Sequence, residues 1–472
     1  MGRVLLLKSP RKMKDKTLLI TVFHSFISKN FLNTEAFSLL RSSPGLKIIL
    51  IVPKNKESFF IEQYSDSNIT IVGFDFGNIL RRKMVQILSA LSHLLLSSHY
   101  LWYKKVERRG KSTHPLRLVK YYFEVAFTSI FFGKKYAHSV LRFLFKKMLV
   151  VPEIEVLFDR YAPDIVFSTD VFDEMDVLVN REARVRDVHI IGMVRSWDNC
   201  YSKGVLRVIP DTLLVNNEEI KKEATTLHDI HAEKIHVVGL PQYDQFVNGI
   251  RTKRQEFFNE IGADQNKKLI LFSPAGSVLS DIDWQLCTIL KRLIDTHKID
   301  EPVTFLIRNH PHHPADLSLF KSDSNFIIEN PGMSFGLNGK EVELTKRDSQ
   351  HLADSLYYSD IVMYVATTLG NDSLLFDKPQ IIINFDGWEN KEYTRSTKRY
   401  HNEDHMKKMI ACGGVSVVTD EHELATAINT YLQTPEYLKE GRLRARAQQV
   451  YYTDGKSSDR IANRLIEELK KV

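Results

Sequence analysis

Few folds accommodate the stretch SDIVMYVATTLGNDSLLFDKPQIIINFDG, Ser359 to Gly387. Ile361 to Val365 and Gln380 to Asn384 are short apolar runs of strand character. Between them lie a polar break, Thr367-Thr368-Leu369-Gly370-Asn371, and a short helix expected from Asp372 to Phe376. Two strands joined through a helix form a βαβ unit. Ligands of a parallel sheet settle beyond the carboxyl ends of its strands, so Thr367 and Thr368 stand where a ligand phosphate would lie, facing unpaired N–H groups at the helix start. Two partners stay open for these hydroxyls: the helix terminus alone, or the terminus together with a nucleotide diphosphate.

The same alternation runs through the chain. Strands are expected at Thr17–Val22, Lys47–Val52, Ile69–Phe74, Asp164–Ser168, Ile190–Val194, Thr212–Val215 and Ile235–Val238, with helices such as Thr34–Arg41, Met175–Val185 and Asn217–Leu227 between them. A break near Asn248–Lys253 precedes a second series of strands at Lys268–Phe272, Thr304–Ile307 and Asn325–Ile328, then the opening stretch, then Val415–Val418. An amphipathic helix introduced by Gly455 and Ser457 ends the chain. This spacing argues for the α/β class with parallel sheets of Rossmann type, and 472 residues suit two domains. The expected division is 1–250 with a helical insert at about 77–150, then 251–450, then a terminal helix over 451–472. No G-x-G-x-x-G follows the first strand, which speaks against a dinucleotide-binding dehydrogenase. No Walker loop, G-x-S-x-G elbow or H-E-x-x-H supports an NTPase or hydrolase.

One segment makes the protein basic. Between Arg81 and Lys147 stand fifteen lysines and arginines against Glu107 and Glu124, while the whole chain has a net charge of +7. The uncharged run Met84–Tyr103 includes Gln86, four serines, His93 and His99 and is too polar for a membrane span; Tyr121–Phe132 is aromatic-rich but too short. Two readings stay open for the insert. Its helices lie on an anionic membrane surface, held by Arg81, Arg82, Lys83, Lys104, Lys105, Arg108, Arg109, Lys134, Lys135, Arg142, Lys146 and Lys147, or they are core helices with solvated basic faces. Without a recognition motif, nucleic acid is not an expected partner. Cys200, Cys287 and Cys412 share no metal-ligand spacing and read as reduced thiols, and the first apolar run is too short for a signal peptide. A cytoplasmic location is expected, peripheral on the inner face of the plasma membrane if the insert docks there.

The order of apolar strand, threonine pair, early acidic residue, Lys378-Pro379 and second strand resembles the donor-binding segment of GT-B glycosyltransferases. It also resembles that of their relatives, the CDP-glycerol glycerophosphotransferases and UDP-GlcNAc 2-epimerases. Those families carry Glu seven residues before the Pro, where this chain has Asp372. Arg308-Asn309-His310-Pro311 resembles the R-x-H-P segment of the glycerophosphotransferases, which meets the donor phosphates. Arg195-Ser196-Trp197-Asp198-Asn199 resembles their T-W-H-G segment, whose His is the catalytic base; here Asp198 stands in the His place and Asn199 in the Gly place. Asp454-Gly455-Lys456-Ser457 resembles their D-G-K/R-S segment and reads as a turn and helix cap. The likeness runs from about Ile190 to the C-terminus. It implies the GT-B layout, in which two Rossmann-like parallel-sheet domains face a cleft and a C-terminal crossover helix returns to the first.

The side chains give that expectation its chemistry. Arg308 offers a charge-assisted fork to phosphate, and His310 can donate to the leaving oxygen. Asp198 is the expected base, its pKa raised by burial beside Trp197, with a cap on the turn before Lys203-Gly204 as the alternative role. Ser273, Gly276 and Ser277 form a small-residue loop expected to offer backbone N–H groups to a diphosphate, with Thr367, Thr368 and Asp372 as further donor contacts and Asp386 a weaker one. Arg195, Trp197, Asn199 and Lys203 are the expected acceptor contacts. No metal site is expected: His312 and His313 are adjacent on an extended chain and point apart, and Asp170, Asp173, Glu174 and Asp176 read as a solvated helix start. The expected function is transfer of a sugar from a nucleotide-activated donor to a hydroxyl of a surface-glycan precursor, glycan or lipid-linked, without a cofactor. CDP-glycerol-type polyol-phosphate transfer, UDP-sugar 2-epimerisation and non-catalytic membrane binding are the alternatives.

Overall fold

The computed structural model describes residues 15–96, 98–110, 115–131, 134–249, 251–335, 341–393 and 395–472. Expectations for the basic tail before Asp15, for Ile250 and for the side chains of Arg108 and Arg109 fall outside the described residues.

The first lobe contains β1 (Lys16–Thr21), β2 (Leu46–Pro53), β3 (Ile69–Phe74), β4 (Ile165–Ser168), β5 (His189–Met193), β6 (Thr212–Val215) and β7 (Ile235–Val237). They form one parallel sheet in the order β3-β2-β1-β4-β5-β6-β7. The second lobe contains β8 (Lys268–Ser273), β9 (Val303–Arg308), β10 (Phe326–Glu329), a hairpin of β11 (Met333–Phe335) and β12 (Glu341–Glu343), then β13 (Ile361–Tyr364), β14 (Gln380–Ile383) and β15 (Ser416–Val418). Its parallel sheet runs β10-β9-β8-β13-β14-β15. Strands covered on both faces should be apolar throughout rather than alternating. So they are, apart from Ser168 and Gln380 at strand ends: every residue of β4, β13 and β14 is buried, and each Ile or Val so placed contributes about 1.5–3 kcal/mol through removal from water.

Helices fill both faces. Their starts are fixed by side-chain caps: Asp173 accepts from the Met175 N–H, Asn217 from that of Ile220, and Thr345 and Asp348 form a reciprocal capping box. The last helix, Ser457–Leu469, leaves the second lobe and buries Ile461, Ala462, Leu465 and Leu469 in the core of the first sheet. The insert is a layer of helices, Lys83–Leu95, His99–Gly110, Pro115–Phe131 and Lys135–Met148, so the uncharged run Met84–Tyr103 is divided between two of them. Among the described residues no helix is long and apolar enough to cross a membrane.

The lobes meet through buried and half-buried polar contacts. Lys56 pairs with Glu343 of the β11–β12 hairpin at 2.7 Å, Ser28 donates to the same carboxylate, and Lys408 pairs with Glu219 and Glu223.

Candidate functional site

Both sheets reverse strand order at their first strand, between β1 and β4 and between β8 and β13. The crevice beyond such a reversal is where open α/β sheets bind ligands. In the cleft between the lobes a cavity occupies this place. Ser273 reaches it from the end of β8, Arg308 and His310 from the end of β9, and Thr367, Thr368 and Asp372 from the turn and helix after β13. Phe26 and Lys29, just beyond β1, close it from the first lobe.

Arg308 is largely buried and gives one N–H to Glu329 at 3.1 Å. Burial raises the pKa of Glu329, but His351 and Arg308 outweigh it and hold the carboxyl below its usual value. A guanidinium has five N–H donors, so this pair leaves others for a ligand. The Nδ1 of His310 accepts the His312 N–H at 3.2 Å, which places the ring proton on Nε2. Burial, with His313 and His312 nearby, lowers the His310 pKa to about 4, so the ring is neutral at pH 7 and carries one N–H. Thr367 accepts the Leu369 N–H, whereas Thr368 occupies the cap position without a side-chain cap bond. Asp372 is almost fully buried; it faces Lys29 at 3.6 Å and accepts from Gln242.

Several expected positions lie elsewhere. Gly276 and Ser277 do not line the cavity, and their loop offers no N–H to a diphosphate. The Ala275 and Gly276 N–H groups are bound by the buried Asp283 carboxylate at 2.9 and 2.8 Å, and the Ser277 N–H by the Pro314 carbonyl. Asp198 does not line the cavity either. It accepts from the Ser196 and Ser202 hydroxyls beside His405, whose ring meets Trp197 at 4.6 Å. The expectation of a raised pKa is overturned: desolvation pushes it up, but His405, the two serines and Arg195 outweigh this and hold Asp198 below the usual carboxylate value. Asn199 is buried and donates to Asp170, while its Oδ1 has no hydrogen-bond partner among the described residues. Arg195 pairs with Asp170 at 2.7 Å and lies over the Phe26 ring at 5.9 Å. Lys203 lies near both His24 and Asp173, where its charge is felt by each. Asp386 is a core residue that accepts from the Thr397 N–H and hydroxyl.

The acids after β4 are not a solvated helix start. Asp170 and Asp176 are buried, and burial followed by the Asp170 charge raises Asp173 to about 6. Among the described residues no group of three or more His, Cys, Asp or Glu is arranged to hold a metal ion.

Phe26, Lys29 and His24 were not among the expected site residues; they belong to the segment Phe23–Asn30 after the first strand. It folds as a helical turn, Ser25–Ile27, running into Ser28–Leu32. Their signal was position, directly beyond the first strand of the first sheet. The turn also brings His24 to 5.8 Å from the ring of His312, and Ser25 bonds that same imidazole.

Two Rossmann-like lobes across a cleft, with a terminal helix crossing back to the first, define a GT-B α/β protein. Residues 206–467 match the family described as CDP-Glycerol:Poly(glycerophosphate) glycerophosphotransferase; the match spans more than half of the chain, and the protein belongs to that family. No curated protein matches the chain. Among solved structures it is similar to Staphylococcus aureus MnaA in complex with UDP, at 11% identity and a TM-score of 0.56 over 97% of this chain and 98% of that one. UDP-GlcNAc 2-epimerase from Neisseria meningitidis bound to UDP-GlcNAc gives 12% and 0.55 over 96% and 100%. The wall teichoic acid polymerase TagF, soaked with CDPG, gives 14% and 0.51 over 97% and 90%. At these identities the likeness speaks for the fold.

Proposed function

We propose that the protein transfers a group from a nucleoside-diphosphate-activated donor to a hydroxyl acceptor, with the donor diphosphate in the cavity between the lobes. The observation that carries this is the convergence, at the strand-order reversal of the second sheet, of Arg308, a neutral His310 with its proton on Nε2, Ser273 and Thr367. Arg308 would bind the phosphates, and His310 would donate to the oxygen that leaves with the nucleotide. Lys29, presented by the first lobe, would add a second positive charge once the donor draws it from Asp372. The acceptor would approach from the first lobe past Phe26, Arg195 and Lys203, and a surface-glycan precursor, glycan or lipid-linked, remains the acceptor class proposed.

Family membership favours a polyol phosphate from a CDP-linked donor as the transferred group. In that reaction the acceptor oxygen bonds to the polyol's phosphorus and CMP leaves. A nucleotide sugar is the second reading, favoured by Asp198 in the place where the glycerophosphotransferases carry their histidine. There the bond forms at the sugar carbon and the nucleoside diphosphate leaves.

The leaving group therefore decides between them. Purified protein is offered CDP-glycerol and a panel of UDP-, GDP- and CDP-sugars with and without a hydroxyl acceptor, with thermal shift for binding and chromatography for products. Acceptor-dependent release of CMP from CDP-glycerol is expected. Release of a nucleoside diphosphate would establish sugar transfer, and turnover of a UDP-sugar without acceptor would replace transfer by epimerisation. A protein that no nucleotide stabilises would refute the proposal.

A further inference from the structure

Arg308 is held from behind. It ends β9, and the register of the sheet sets Glu329, the last residue of β10, directly beside it. Glu329 divides its carboxylate: Oε2 accepts from Arg308 at 3.1 Å, and Oε1 lies 2.6 Å from Nε2 of His351. An ionised carboxylate only accepts, so the proton of that second bond belongs to the imidazole. His351 stands on helix Lys346–Tyr358, its ring 5.5 Å from that of Phe257 and its Nδ1 3.8 Å from Glu260, beyond hydrogen-bonding range. His351, Glu329 and Arg308, from three elements, thus form one chain of contacts that ends at the cavity. Arg308 lines the cavity; Glu329 and His351 do not.

An ion pair so far from water is a poor source of stability, because desolvation offsets most of its attraction; the His351 and Glu329 side chains are 18% and 16% exposed. What the pair supplies is direction. Among the described residues Arg308 has no second hydrogen-bonded partner, so Glu329 alone fixes the plane of its fork. One N–H is engaged there and the others stay for an anion. The loop that carries His310 is tied separately: the Asn309 N–H donates to the Glu329 carbonyl at 3.0 Å, and its Nδ2 donates to Asn330 at 2.9 Å. A change in the Glu329 side chain leaves those bonds in place and acts on Arg308.

We propose that Glu329 and His351 are positioning residues of the donor site: they aim the Arg308 guanidinium at the donor diphosphate and so set donor affinity without touching the donor. This role rests on the donor reading of the cavity and extends it to two residues outside. Glu329 acts on Arg308 directly. His351 acts one step further back, by fixing the carboxylate that fixes the guanidinium, so its removal should cost less. Preorganisation of this kind matters because a fork already in place loses little freedom when phosphate arrives.

The test is a double-mutant cycle on binding, read by calorimetric titration of the full chain with CDP and with UDP. Glu329→Ala should weaken binding of the nucleoside diphosphate about tenfold, and His351→Ala about threefold. In an Arg308→Ala background neither substitution should cost anything further, because the group they aim is gone. Glu329→Gln, whose amide oxygen still accepts from Arg308, should recover most of the loss. Should Glu329→Ala fail to fold, His351→Ala, which leaves the Arg308–Glu329 pair intact, decides by its own loss in the two backgrounds. Equal losses with and without Arg308, or full affinity in Glu329→Ala, would make the contacts merely structural and overturn the role. Undiminished binding by Arg308→Ala would overturn it as well, by taking Arg308 away from the diphosphate. Wild-type protein that binds neither nucleotide would refute the donor reading itself, and this role with it.

Discussion

His310 and Asp198 were expected to work as a pair, and their surroundings separate them. The hydrogen bond from the His312 N–H fixes the tautomer of His310, so its catalytic value is as a donor. His310→Ala should lower kcat/KM by about a hundredfold or more, the cost of removing one donor from developing negative charge, with little change in melting temperature. Asp198 is held by two hydroxyls in a low-pKa state, outside the cavity. A carboxylate so stabilised is a weak base, and Asp198→Asn is expected to retain transfer within about tenfold. Steady-state release of nucleotide measures both, and a large loss in Asp198→Asn at unchanged stability would restore it as the base. What the sequence made legible here was chemistry carried by strand ends: Arg308, His310, Ser273 and Thr367 do share a cavity. What stayed hidden were partners distant in sequence. Nothing local to Gly276 reveals that Asp283 occupies its N–H, and nothing near Asp372 reveals Lys29.

Elements were readable where hydrophobic periodicity is strong. Ile69–Phe74 and Thr212–Val215 have the bounds their apolar runs imply, although Thr212–Val215 is buried throughout and Ile69–Phe74 is a largely half-buried edge strand. The β11–β12 hairpin was missed, since three-residue strands carry too short a pattern, yet its Glu343 meets Lys56 across the cleft. Loops after neighbouring strands are coupled in the same hidden way. Gly276 has φ +81, and a Cβ there would lie 2.3 Å from the His313 carbonyl oxygen, so the loop after β8 braces the loop that carries His310. Gly276→Ala adds left-handed strain to that clash and should destabilise the protein by about 1–3 kcal/mol. It should also weaken donor binding although Gly276 does not touch the cavity. Denaturant unfolding and nucleotide titration check the two effects, and unchanged donor affinity would uncouple the loops.

At the scale of the whole molecule, the contact that joins Asp198 to the second lobe makes association of the lobes depend on pH. Glu403 is buried there beside Asp198, Asp404 and His405, with Lys104 and Arg399 as the nearby cations. Desolvation first, then the Asp198 charge, raises its pKa to about 8 against the favourable cations. A carboxyl raised in this way binds a proton on folding that the unfolded chain releases near its ordinary value of about 4.5. Its contribution to stability is therefore full at low pH and is lost as pH rises through about 8. Between pH 7 and 9 the loss should be about 1–2 kcal/mol. Glu403→Gln keeps the shape and hydrogen-bonding capacity of the protonated form but cannot ionise. Its melting temperature should fall less than that of the wild type over the same interval, with the two proteins closest near pH 7. The difference between the two curves isolates Glu403 from other groups titrating in that range. Parallel curves would show that Glu403 ionises freely and that Asp198 does not face it across the lobes in solution.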